Sequence, residues 1–409
     1  MAGDNYIASI DIGTDKIALL AAEKDYDNRL RIIGHNICSS DGVKKGAIFS
    51  IDHLSRVITK LIEETNKSFD LTLGLFRVNI SDTHLTCTDR KGHVSVNEVV
   101  TRNDVDAVLA SAISMSTPSN KEPLHKIKKK FTINESVVVD NPLEMKAEFL
   151  ESKVHIVTVS SANVRNIDNC LKQSDLQIEK DGMVLTSIAK SHAILTQEEK
   201  DNGVCIVDIG AGVTSFSVFN QEGIVQSGVI SMGGDEVTRD IAYAFDTSLE
   251  EAKRLKEKYG VAKSSTLKED KLIDFTQPEK NKDEHQLSSL QLSEVIEEAY
   301  REILLALKNQ LKHHNLDTII KSGFVLCGGG AQVISCEELV RDFFTRRAKI
   351  GTIPDSRIFG LDNILTDFRY TGSIGLLLHE DDFGKDFDVI SNGNNGVIGK
   401  LKEWTVKNF

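Results

Sequence analysis

Apolar residues recur along this chain in two registers. A period of two, ending in Asp-Ile-Gly, occurs twice, in YIASIDIGTDKIALLAAE at residues 6 to 23 and GVCIVDIGAGVTSFSVFN at residues 203 to 220. Each stretch reads as a β-rich run, a short turn of small residues and a second β-rich run. The near-duplication predicts two α/β domains of like design facing each other. A helical period marks residues 52 to 66, with Asp52 as the cap, and residues 103 to 114 and 162 to 173. It returns in LEEAKRLKEKYG and in SEVIEEAYREILLALKNQLKHH, where Val295, Ile296, Ile303, Leu304, Leu307 and Leu311 form a core stripe.

Changes of texture divide the chain. Residues 1–85 and 161–200 make the first domain, and 86–160 read as a small inserted α+β subdomain. The insertion holds one helix, the β-rich runs SVVVD and VHIVTVS, and a polar stretch whose basic run KIKKK, residues 126–130, is expected to be a solvated turn. Residues 201–235 and 321–382 make the second domain, interrupted by a second insertion at 236–320 with a charged, turn-rich interval at 263–285. Residues 383–396, with SNGNNG, have the composition of a flexible tether.

The last segment, 397–409, is amphipathic as a helix. Val397, Ile398, Leu401, Trp404, Thr405, Asn408 and Phe409 share one face, while Lys400, Glu403 and Lys407 take the other. Such a helix, about 20 Å long, is too short to cross a bilayer and suits lying in its interface. Val397, Ile398, Leu401, Trp404 and Phe409 would be buried, and Lys400, Lys402 and Lys407 would each add about 1 kcal/mol near anionic lipid. One copy should bind reversibly; copies arrayed on a filament would bind firmly through effective concentration.

Composition narrows the class. A net charge of −12 without a basic stripe excludes an ordinary nucleic-acid binder. The six cysteines stand far apart, without zinc or dithiol spacing, and are expected to be reduced and mostly buried. The amino terminus has no basic, apolar, cleavable pattern and no apolar run approaches the roughly 20 residues of a membrane span, so the expected compartment is the cytoplasm.

The paired turns carry the chemistry. A triphosphate needs many donors close together, and glycine lets the backbone approach while successive N–H groups point inward. Gly13 and Thr14, with Lys16 close by, would contact phosphate from the first turn; Gly210, Ala211, Gly212, Val213 and Thr214 would form the matching clamp. Asp11 and Asp208, each at a strand end, are placed to hold Mg²⁺ through water. In GFVLCGGGAQVI an apolar strand runs into Gly328, Gly329 and Gly330, a turn suited to packing against adenosine.

Two Asp-Ile-Gly loops followed by a strand and a Gly-Gly-Gly loop resemble the actin, Hsp70 and sugar-kinase superfamily. GVCIVDIGAGVTSFSVF, MGGDEVTRDIAYAF, GFVLCGGGAQ, TGSIGLLLH and the terminal amphipathic segment resemble its FtsA family of bacterial division proteins, in order along essentially the whole chain. The resemblance implies an actin-like, two-lobed fold with an inserted subdomain and a carboxyl-terminal amphipathic helix. It implies that Gly233 and Gly234 belong to the nucleotide cleft and that Lys256 approaches the ribose or base. Lys253 stands where an acid would be expected in that helix. It also implies ATP with Mg²⁺, self-association into filaments, and attachment to the inner face of the cytoplasmic membrane at the division septum. The partners implied are the FtsZ tail, bound through 236–320 with Arg301 and Lys308 as candidate contacts, and later division proteins, bound through the inserted subdomain.

Hydrolysing relatives carry a water-positioning carboxylate or glutamine at the helix joining the two halves. The matching stretch here, MVLTSIAKSH, puts Thr186 near that position with no acid adjacent, so hydrolysis is expected to be slow or absent. Two alternatives share the fold: an actin-like cytoplasmic component of a type IV pilus machine, and a small-metabolite kinase, for which no second-substrate motif is visible.

Overall fold

A computed structural model describes residues 6–114, 118–277, 285–354 and 357–379. Contacts divide the chain into two units. The larger comprises residues 1–86, 119–124 and 158–379; the described part of the smaller lies within Cys87–Pro118 and His125–Val157.

The duplication seen in the sequence becomes two sheets of one plan in the larger unit. In the first, Tyr6–Ile12 pairs antiparallel with Lys16–Lys24, closing at Ile12 opposite Ile17, and Lys16–Lys24 pairs antiparallel with Leu30–Ser39. Leu75–Ile80 and then Gln177–Leu185 continue the sheet in parallel on the other side of Tyr6–Ile12. In the second sheet Val204–Ile209 and Thr214–Asn220 close at Ile209 opposite Thr214, and Gly223–Ile230 follows antiparallel. Gly323–Cys327 and Ala348–Ile350 extend it in parallel. The sequence alternates here because each strand places one face on a helical layer. The first core gathers Ile10, Leu19, Phe76 and Val78 under Leu54, Ile58 and Leu171; the second gathers Val207, Phe216 and Leu326 under Ile241, Ile303 and Leu307.

The expected helices are found as Ile51–Phe69, Arg102–Ile113, Ser161–Gln173, Leu249–Tyr259 and Ser289–His313. The first starts one residue before the expected cap, because Ser50 rather than Asp52 accepts the His53 N–H. In the longest helix Ile296, Ile303, Leu304, Leu307 and Leu311 are buried, while Val295 is partly buried. The interval 263–285 contains a short 3-10 turn and a hairpin strand at Leu272–Phe275, paired with His285–Ser288.

Two further helices place the site. Thr186–Ile194 and Thr371–Leu378 cross so closely that a methyl group on Gly375 would collide with the Ala189 carbonyl. Ser9 Oγ donates to Ser373 O (2.9 Å) and Ser373 Oγ to Ala18 O (2.8 Å), which pins the second helix to the first hairpin. No helix among the described residues is long and apolar enough to cross a membrane.

In the smaller unit Thr86–Val99, Lys146–Ser160, Lys121–Ile133 and Val137–Val139 form one sheet in that order, and Arg102–Ile113 opens on a Thr101–Asp104 capping box. Val108, Leu109, Leu150 and Val154 fill the core between them. The basic run at 126–130 is not a solvated turn: it lies inside the strand Lys121–Ile133. Lys129 is buried there because Asp89 Oδ2 accepts from its ammonium at 3.0 Å while Asp89 Oδ1 meets His155 Nδ1 at 2.6 Å. Hydrogen bonds from His155 and Lys129 outweigh the effect of burial and hold the Asp89 carboxyl down at about 2.

All six cysteines are free thiols, with Cys170, Cys205, Cys327 and Cys336 buried. The expected tether 383–396 and the membrane residues Val397, Ile398, Lys400, Leu401, Trp404, Lys407 and Phe409 lie outside the described residues.

Candidate functional site

The two glycine turns face each other across a cleft of about 630 Å³. Each turn closes on itself: the Gly13 N–H donates to Lys16 O (2.9 Å), and the Gly210 N–H to Val213 O (3.0 Å). Gly13 and Gly210 line the cleft, but their N–H groups are committed to the turns, which corrects the expectation that they donate to phosphate. At the tips, Thr14, Ala211 and Gly212 have no partner for their N–H groups among the described residues. The tips come close together: a methyl on Gly212 would stand 2.7 Å from Thr14 Oγ1.

Of the other expected residues, Asp11, Lys16, Asp208, Val213, Gly234, Lys256, Gly328, Gly329 and Gly330 also line the cleft. Two do not. Thr214 is fully buried at the start of its strand. Gly233 precedes the helix Gly234–Ala244, whose first N–H groups, at Gly234 and Asp235, donate to Gly210 O (2.9 Å) and Ala211 O (2.8 Å). That helix therefore braces the second turn from behind. Lys256 reaches the same place, donating to Gly234 O and Thr238 Oγ1, each at 2.7 Å, and burial pulls its ammonium below the ordinary lysine range.

The third turn is built by strain and by an anchor. Gly328 has φ +86°, a left-handed conformation, and a methyl there would collide with Asp208 Oδ1. The buried Tyr300 hydroxyl donates to Gly330 O at 2.6 Å. The three glycines lead into a 3-10 turn at Gly330–Gln332, and the α-helix begins only at Cys336. Phe368 flanks this end of the cleft, with Lys16 Nζ 5.0 Å from its ring centroid.

Sequence reasoning missed three residues that matter here. Lys190 Nζ donates to Asp208 Oδ1 at 2.7 Å, with side-chain exposures of 11% and 7%. Burial disfavours its charge, but the carboxylates of Asp208 and Asp11 outweigh this and hold Lys190 above the ordinary lysine range. Burial pushes the Asp11 carboxyl up, with Lys190 opposing. Asn79 ties the first hairpin to the lysine helix: its Oδ1 accepts from the Ile12 N–H (2.6 Å) and its Nδ2 donates to Thr186 Oγ1 (3.1 Å). Gly372 gives room to Asp11, since a methyl there would run into the carboxylate. The one sequence signal was a lysine within the small-residue helix SIAKSHAI.

Thr186 itself is buried in hydrogen bonds with Asn79, Ser81 (2.9 Å) and Ile80 O (3.1 Å). Lys253, where an acid was expected, forms an ion pair with Asp15 at 2.6 Å. Arg301 pairs with Glu297 at 2.6 Å, and Lys308 Nζ lies 5.1 Å from the centroid of the Phe343 ring.

Similar solved structures share this architecture. The PilM–PilN type IV pilus biogenesis complex matches with a TM-score of 0.61 at 15% identity, covering 91% of this chain and 97% of that chain. MreB5 of Spiroplasma citri bound to ADP matches with a TM-score of 0.56 at 14% identity, covering 95% and 99%. These likenesses establish an actin-like fold. Family models for the cell division protein FtsA and for the SHS2 domain inserted in FtsA match residues 205–375 and 83–158. The cell division protein FtsA of Pseudomonas aeruginosa is 29% identical, over 98% of each chain, and that of Borreliella burgdorferi 29% identical, over 99% of each. With 30% identity to FtsA of Buchnera aphidicola, across 91% of its own length and 90% of that protein's, this chain belongs to the FtsA family of cell division proteins.

Proposed function

We propose that this protein binds Mg-ATP in its cleft, polymerises, and tethers FtsZ filaments to the inner face of the cytoplasmic membrane at the division septum. The observation that carries the reading is the convergence of the two glycine turns and the Gly328–Gly330 turn on one cleft with Lys16 inside it. In this reading the tip N–H groups of Thr14, Ala211 and Gly212 take phosphate oxygens, and Gly328–Gly330 with Phe368 frame the adenosine. MreB5 of Spiroplasma citri bound to AMPPNP, at a TM-score of 0.56, is a neighbour of the same fold that holds such a nucleotide.

The carboxylates suit a hydrated magnesium ion. Burial leaves Asp11 short of compensating charge, and among the described residues no cluster of three or more His, Cys, Asp or Glu is gathered to ligate a metal directly. Asp11 and Asp208 would hold such an ion through its waters, and the ion when bound would shield the phosphate charge. Around Thr186 the hydrogen-bonding groups are hydroxyls, a carbonyl and an amide, which supports a nucleotide held long and hydrolysed slowly.

Polymerisation multiplies weak anchors. A single copy of the amphipathic 397–409 sequence binds lipid reversibly, and a filament presenting many binds firmly, so the nucleotide controls membrane avidity. The segment 236–320 is the proposed site for the FtsZ tail and the smaller unit the site for later division proteins. The test is sedimentation with anionic liposomes, with ATP present or absent and with or without an FtsZ tail peptide. ATP-dependent filaments should bring down the peptide with the liposomes, and deleting 397–409 should leave filaments in the supernatant. Membrane binding that ignores both ATP and the deletion would overturn the reading.

A further inference from the structure

A small hairpin of the first domain lays its tip on the second glycine turn. Its strands Val43–Lys44 and Ala47–Ile48 pair antiparallel, and Val43 is buried in the first core. The two residues between them, Lys45 and Gly46, have φ +49° and +72°, the positive values that a two-residue hairpin turn wants. A lysine in that region is strained and persists only where its surroundings hold it. What holds Lys45 belongs to the second domain: its Nζ donates to Ser231 O at 3.3 Å and pairs with Glu236 Oε1 at 3.1 Å. Beneath the tip, a methyl on Gly212 would stand 2.9 Å from Lys45 Cα, and the Gly46 N–H donates to Thr14 Oγ1 at 3.2 Å. Hairpin tip, first turn and second turn therefore meet at one point.

A second bridge joins the same two sides. Lys253, on the helix Leu249–Tyr259, pairs with Asp15 of the first turn at 2.6 Å, while Glu257 of its own helix is 3.9 Å away. The acid that the family resemblance implied at 253 would repel Asp15; lysine draws it in. The side chains of Lys45, Lys253 and Asp15 are each about half exposed, so both bridges lie at the rim of the cleft. One exposed ion pair contributes little to the stability of a whole protein. These two, however, span the turn tips, which have to separate before phosphates held between them can leave.

We infer that Lys45 and Lys253 are positioning residues that fasten the two phosphate turns to each other, through Glu236 and Asp15, and so slow the release of bound nucleotide. The inference rests on the cleft being the nucleotide site and names what retains the ligand there.

The test neutralises the acids, because the sign of the effect then separates a fastening from simple attraction for phosphate. Asp15 lowers the pull of Lys16 on an anion, and Glu236 that of Lys45 and Arg239. If charge on the nucleotide were all that mattered, Asp15→Asn and Glu236→Gln would slow release. As members of a clasp, both should quicken it. Each change replaces one oxygen by nitrogen, and Gln at 236 still accepts the Gly233 N–H that Glu236 Oε2 takes at 3.1 Å. The full chain is loaded with a ribose-labelled fluorescent ATP in Mg²⁺ and chased with excess unlabelled ATP in a stopped-flow instrument. Each variant should release label about two- to fivefold faster than the unaltered protein, and the double variant about tenfold faster, with association as fast as before or faster. Release that is unchanged or slower in either single variant overturns the inference, as does faster release accompanied by slower association, the mark of a damaged site. Failure of the unaltered protein to bind the label, or unlabelled ATP in calorimetry, would instead remove the nucleotide reading, and the inference with it.

Discussion

Replacing Gly328 by alanine perturbs the joint between the third turn and the carboxylate beneath it. At φ +86° an L-residue costs about 1–2 kcal/mol over glycine. The added methyl also meets Asp208 Oδ1 and the Ile209 backbone carbonyl. The carbonyl belongs to a central strand and cannot rotate away, so overpacking adds about 1–3 kcal/mol. Loss of freedom in the unfolded chain returns about 0.4–1 kcal/mol. The net expectation is destabilisation of about 2–4 kcal/mol, together with a displaced Asp208 and at least a tenfold loss of ATP affinity. Gly74 supplies the control, because nothing lies within 4 Å of a methyl built on it and its φ is not in the left-handed range. Gly74→Ala should be neutral or stabilising by about 0.4–1 kcal/mol. Urea unfolding followed by circular dichroism reads both. If Gly328→Ala unfolds at the same midpoint as the unaltered protein, with ATP affinity unchanged, the account of this turn is wrong.

Other outcomes follow from the same geometry. Tyr300→Phe leaves the Gly330 carbonyl without its buried donor and should cost about 1–3 kcal/mol in urea unfolding. Asp89→Asn removes the charge opposite buried Lys129 and His155 and should lower the unfolding midpoint of the smaller unit, observed by hydrogen exchange within its strands. Because the folded Asp89 pKa is about 2, below its ordinary 3.8, its contribution is fully present above about pH 4 and is lost as the pH falls towards 2. With 44% of that side chain exposed, solvent screening holds the contribution to about 1 kcal/mol, so acid unfolding of the smaller unit in Asp89→Asn should be flatter across that window. Single-turnover hydrolysis of ATP should be slow, and kinase-like turnover would contradict the role given to the Thr186 surroundings.

Both hairpins were legible because period-two alternation, Asp-Ile-Gly and a small-residue turn are local properties, and each hairpin closes within its own segment. Core stripes such as Ile296, Ile303 and Leu307 were legible for the same reason. What stayed hidden depends on chain brought from afar. Lys190 gains meaning from Asp208 on the adjoining strand, and Gly372 from Asp11, which lies at the other end of the sequence. The edge strand Ile358–Phe359 is two residues long and has no pattern of its own; it exists because Leu30 and Arg31 offer it a partner. KIKKK reads as solvated because lysine is, yet Asp89 and the strand's alternation draw Lys129 inward. The turn glycines show the complementary limit: Gly13 and Gly210 were found by type, but which N–H groups remain open is decided by hydrogen bonds no motif displays.

The most direct measurement of the central claim is calorimetric titration of the full chain with ATP in the presence of Mg²⁺, beside the same titration of a Gly212→Ala chain. Gly212 stands where a methyl would press on Thr14 Oγ1 and the Lys45 backbone and force the two tips apart. The account predicts saturable heat at one nucleotide per chain for the unaltered protein and a large loss of affinity for the variant. No heat from the unaltered protein, or equal binding by both, would contradict it.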